Sequence, residues 1–184
     1  MKSKLLIIAI CFCISLQAQE KKREYEERIN ESQMPKEALS ILKKIPVAKK
    51  RLKHYLENDG SKTSFESKFK SGKNKYSVEF SEEGKLQDIE VEIRKIKSKE
   101  VMTVIENHLN ANYEHFKIEK IQAQYQKLNS LETKPYQNPD AWELIVATKN
   151  KSNKLERFEM TFDTKGEFLN LRIAVRQSYD FLLF

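Results

Sequence analysis

One segment of this chain is written twice. Lys75-Tyr-Ser-Val-Glu-Phe-Ser-Glu-Glu-Gly-Lys-Leu-Gln-Asp-Ile-Glu-Val-Glu-Ile93 returns as Arg157-Phe-Glu-Met-Thr-Phe-Asp-Thr-Lys-Gly-Glu-Phe-Leu-Asn-Leu-Arg-Ile-Ala-Val175. A constant shift of 82 residues (162 − 80) lays Phe80 on Phe162, Gly84 on Gly166, Leu86 on Phe168, Ile89 on Leu171 and Val91 on Ile173. A duplicated unit implies one core shape used twice, which narrows the possible architectures more than composition does. Both copies alternate apolar and polar residues, the period of a strand packed on one face. In both, the apolar phase slips by one residue after the glycine, between Leu86 and Ile89 and between Phe168 and Leu171, which predicts a shared bulge.

A helix precedes each copy. Ala38, Ile41, Leu42 and Ile45 follow Pro35 at helical spacing, and Pro46 ends the run. Lys99-Glu-Val-Met-Thr-Val-Ile105 repeats this pattern, with Ser98 as the start signal. Strands are expected near 50–57, 62–70, 75–81 and 86–95, then near 115–126, 141–148, 156–163 and 167–176. The four glycines, Gly60, Gly72, Gly84 and Gly166, all fall between predicted strands, where turns need positive φ. The second copy is longer, and much of the excess is a loop at 127–140 carrying Pro135 and Pro139.

The first residues carry an address. Lys2 and Lys4 precede the apolar run Leu5–Ile14, and Ala18 offers a small residue for cleavage, so 1–18 reads as a signal peptide. The run is shorter than the ~20 residues a membrane span needs. The chain is therefore expected in the periplasm or outside the cell after cleavage near Ala18, with no transmembrane segment. Cleavage removes Cys11 and Cys13, so stability has to come from a packed core and not from disulfides. It also takes two lysines from the 34 Lys+Arg that face 27 Asp+Glu, leaving +5 (34 − 2 − 27). The charges interleave along the chain, the pattern of a solvated surface and not of a nucleic-acid-binding stripe.

Catalytic chemistry finds little support. His54, His108 and His115 form no metal-binding spacing, the mature chain has no thiol, and the scattered glycines make no phosphate loop. Glu66, Glu79, Asp88, Glu90 and Glu92 occupy the polar positions of strands, where they are expected to face water beside Lys68 and Lys70. No catalytic, metal or cofactor residue is assigned. The candidate contact residues are the aromatics outside the repeated pattern: Tyr136 in the insert, Trp142 beside it, and Tyr179 and Phe181 in the apolar tail. Trp142 also alternates with Leu144 and Val146, as a core residue does.

Pro35-Lys-Glu-Ala-Leu39, the Lys75–Gly84 segment with Asp88–Ile93, and their counterparts through Phe162, Gly166 and Ile173 resemble PepSY-like exported proteins with a β-lactamase-inhibitor-like (BLIP-like) fold. The resemblance implies an open sheet face presented to a protein partner, and a link to binding or restraining peptidases in the envelope. The expected fold class is α+β, as two tandem helix-plus-four-stranded antiparallel β-meander repeats. The segments are a signal peptide at 1–18, a polar, partly helical lead-in at 19–33, repeats at 34–96 and 97–177, and a tail at 178–184. The expected function is non-catalytic binding of a protein or peptide partner through a sheet face and the 127–140 insert. The alternatives are a structural or stress-related envelope protein whose lysines bind anionic polymers, and a small-molecule carrier.

Overall fold

A computed structural model describes residues 21–22, 24–59, 62–128, 138–149 and 153–174. The expected signal peptide, most of the 127–140 insert and the tail at 178–184 lie outside them. In chain order the elements are β1 (Lys21–Lys22), β2 (Glu24–Ile29), α1 (Lys36–Lys44), β3 (Lys50–Asp59), β4 (Lys62–Ser71), β5 (Asn74–Ser81) and β6 (Leu86–Ile93). There follow α2 (Lys99–Asn112), β7 (Phe116–Tyr125), β8 (Ala141–Lys149), β9 (Leu155–Phe162) and β10 (Phe168–Ala174).

Local signals act as the residues dictate. The Ser98 side chain accepts the Val101 N–H and caps α2. Helix α1 stops at Lys44, because the residue before Pro46 cannot stay helical. Ser81 and Asp163 each accept the N–H of the glycine three residues on, and the ladder resumes after one unpaired residue. That residue is Gln87 between the pairs Phe80↔Leu86 and Glu79↔Asp88, and Leu169 between Phe162↔Phe168 and Thr161↔Asn170. The phase slips of the sequence are these bulges.

The architecture is different from the expected one. The chain does not form two tandem helix-plus-four-stranded repeats. It forms one continuous antiparallel sheet of nine strands in the order β10-β9-β8-β7-β6-β5-β4-β3-β2, and β1 adds two parallel residues beside β10. Strand β6 pairs directly with β7, from Ile89↔Tyr125 to Ile93↔Ile121, so no boundary falls between the two halves. The physical reason is that a meander ending at β6 would leave a bare edge of unpaired N–H and C=O groups, and β7 satisfies it. One apolar cluster runs through the whole molecule, joining Ala38 and Leu42 of α1 and Ile105 and Leu109 of α2 to Val78, Phe80, Val91, Leu144, Met160 and Phe162.

The lead-in also departs from expectation. Residues 24–29 are a strand paired with β3, from Glu24↔Asp59 to Ile29↔His54. Tyr25 and Ile29 suggested a helical face, but pairing to an open edge decided the conformation. One residue before β2, Lys22 pairs with Ala174 of β10. Lys22 and Glu24 lie no more than ~7 Å apart by chain geometry. With residues 21–22 paired to β10 and residues 24–29 paired to β3, the two edges lie close together, and the sheet curls round its polar face while both helices cover the apolar one.

Candidate functional site

Alternation puts most of the charged residues of the strands on the inner face of this curl. The result is a trough with a cavity of about 550 Å³, lined by side chains running from Glu26 of β2 to Ala174 of β10. Of the five carboxylates expected to face open water, Glu66 and Glu90 are buried, whereas Glu79, Asp88 and Glu92 are half-buried. Glu57 is 5% exposed and Glu66 4%, and Glu90, Glu143 and Glu159 are buried too. Their placement on the polar face was legible from the alternation. Their burial was not, because it comes from the curl.

Glu57, Glu66 and Lys68 form the core of one wall. Burial and the adjacent Glu66 push the Glu57 carboxyl up to about 10, so it keeps its proton at neutral pH and donates it to Glu66. Burial works to raise Glu66 as well, but the bonds from Glu57, Lys68 and Ser77 outweigh it and hold Glu66 below the usual carboxylate range. The Lys68 ammonium lies 2.6 Å from Glu66 Oε2 and 2.8 Å from Glu26 Oε1. Although burial disfavours its charge, these two carboxylates raise its pKa above the ordinary lysine value.

On the other wall, burial raises Glu90 against the opposing pull of Lys120. Glu90 shares hydrogen bonds with Gln122 and Glu143. Gln124 donates to Asp88 at 3.2 Å, and Arg172 pairs with Glu159 at 3.1 Å. Glu66, Glu79 and Asp88 stand directly opposite one another on β4, β5 and β6. Like charges in that register each cost on the order of 0.2–1 kcal/mol.

Two groups of carboxylates are close enough to share a cation, Glu26 with Glu57 and Glu66, and Glu79 with Asp88 and Glu90, each with oxygens within 4.8 Å. In the first group Lys68 already supplies the positive charge. The histidines lie apart from the trough. His54 is buried beside Ser67 at 2.9 Å, and His108 stacks on Phe168 with ring centroids 4.4 Å apart.

Of the contact residues expected from sequence, Tyr136, Tyr179 and Phe181 lie outside the described residues. Trp142 is 5% exposed, in the apolar cluster on the helix-covered face, and its Nε1–H has no partner among the described residues. Trp142 thus lies away from the trough. The trough residues carried one sequence signal, acids at the polar positions of successive strands, without any sign that those strands would close around them.

No family model matches the chain, and no curated protein does. Three solved structures are similar to it in part. A periplasmic protein from Bacteroides thetaiotaomicron, described as calcium-regulated, is 20% identical, with 79% of this chain and 95% of that one covered at a TM-score of 0.32. A periplasmic protein of the DUF2874 family from Bacteroides vulgatus is 18% identical, with 79% and 95% covered at 0.31. A second periplasmic protein from that species, of unknown function, is 23% identical, with 80% and 98% covered at 0.31. At such TM-scores these likenesses fix neither fold nor function.

Proposed function

We propose that this is an exported, non-catalytic binding protein whose polar trough receives a short peptide or a peptide segment of a protein partner. The observation that carries the reading is the line Glu66, Glu79 and Asp88, like charges set directly opposite one another inside a curled sheet. Such an arrangement lowers stability, and rules broken locally in this way concentrate where a site needs them. The cavity, about 550 Å³, falls in the range of ligand pockets. Export rests on the signal-peptide pattern of residues 1–18.

The absence of catalysis is part of the proposal. Ser67, the hydroxyl that hydrogen-bonds to His54, is 0% exposed and out of a substrate's reach. A peptidase as the partner is suggested only by the PepSY-like resemblance, in which such proteins bind or restrain peptidases. The test is calorimetric titration of the mature protein, beginning at Gln19, with a library of three- to eight-residue peptides of varied charge. Binding of a subset at micromolar to low-millimolar Kd is expected. A library with no binder at all refutes the reading.

A further inference from the structure

The trough is electrically polarised along its length. At the end marked by the start of β4 and the β5–β6 turn, seven acids face two bases, Lys62 and Arg172, and six acids remain when the protonated Glu57 is set aside. Glu82 and Glu83 crown this mouth, with Glu79, Asp88 and Glu90 further in. Away from this mouth the lining changes sign: the cavity residues not shared with it are seven bases, Arg51, Lys53, Lys68, Lys70, Lys75, Lys120 and Arg157, against four acids, Glu26, Glu66, Glu92 and Glu159. Local ion pairs, Lys75 with Glu92 at 2.9 Å, Lys68 with Glu66 and Glu26, and Arg157 with Glu119 at 2.8 Å, offset part of this charge, while Arg51, Lys53, Lys70 and Lys120 keep that end basic. A cleft with low-dielectric walls focuses such fields on whatever lies inside it.

Resting on the peptide-binding reading, we propose that the trough takes its peptide in one direction, the free ammonium group at the acidic mouth and the free carboxylate at the lysine-rich end. The ligand class is then short zwitterionic peptides with both termini unblocked. Length follows from the strands. Lys75 and Glu79 lie four residues apart on β5 and Lys75 and Ser81 six, which at ~3.3 Å per residue gives about 13–20 Å. An extended peptide covers that distance with about four to six residues. Because the charged groups at both ends are exposed, the expected selectivity is modest, about two- to fivefold per terminus.

The experiment compares one binding peptide in four forms, free, N-acetylated, C-amidated and doubly blocked, on the wild type and two variants at low and high salt. The variants, Glu82→Lys with Glu83→Lys and Lys70→Glu with Lys75→Glu, change only exposed side chains, and thermal unfolding checks that each is folded. On the wild type each block should weaken binding about two- to fivefold at low salt, with the effect shrinking at high salt. The mouth variant should lose sensitivity to acetylation only, and the lysine variant sensitivity to amidation only. Binding that ignores the terminal blocks, or variants that change both sensitivities alike, overturns the direction and leaves peptide binding standing. Failure of every peptide to bind overturns both.

Discussion

The two hairpin glycines offer a graded test of how the sheet meets its helices. Gly84 and Gly166 have φ of +83° and +89°, and Gly72 has φ of +58°. At Gly72 an added Cβ would meet nothing within 4 Å, so Gly72→Ala pays only for the left-handed backbone, about 1 kcal/mol. At Gly84 the Cβ would lie 2.8 Å from Cβ of Pro35, the N-cap of α1, and 2.9 Å from the Ala38 nitrogen in its first turn. At Gly166 it would lie 2.6 Å from the Val101 carbonyl oxygen, which the helix holds in place, and 3.2 Å from Val104 Cβ. Forcing apart a packed helix and hairpin adds about 1–3 kcal/mol, for about 2–4 in total. In a chain of this size each kcal/mol lowers Tm by about 2–4 °C. Scanning calorimetry should therefore place Gly72→Ala within about 4 °C of wild type, with Gly84→Ala and Gly166→Ala lower by about 4–16 °C. If either of those two melts no lower than Gly72→Ala, the helices do not seat on these turns and the account of the hairpins is wrong.

Two further outcomes follow from the core and the trough. Phe80 and Phe162 are fully buried, so Phe80→Ala and Phe162→Ala should each destabilise by about 3–5 kcal/mol in urea unfolding, and a near-zero change at either would remove it from the core. Glu57 holds its proton up to about pH 10 when folded, whereas an exposed glutamate releases it near 4.5. Between those values the folded state binds more protons than the unfolded state, so stability falls as pH rises, by at most about 1.4 kcal/mol per unit. Glu57→Gln should flatten the decline of urea midpoint between pH 5 and 9. An unchanged slope in the variant would place the retained proton elsewhere.

Much of the secondary structure was legible because it is decided within a few residues. The 3.6-residue spacing of Ala38, Ile41 and Leu42, the Ser98 cap and the turn glycines act through neighbouring atoms, and the repeated phase slip marked both bulges. The strand at 24–29 was missed because its conformation is set by β3, a partner far along the chain. The candidate site was half legible. Alternation placed Glu66, Glu79 and Glu90 on a polar face, but the sequence pattern of a solvated face and of a buried one is the same.

By itself, then, the sequence determined which residues turn, cap and alternate, since those choices depend on local sterics and period. The tertiary structure alone decided that β6 joins β7 into one sheet, and that the pairings of residues 21–22 and 24–29 bring its two edges close together. Both are long-range pairings, and their driving force is satisfaction of strand edges that no local pattern announces. That closure turns a row of surface acids into a buried, polarised trough, and so the site belongs to the curl of the sheet more than to any motif.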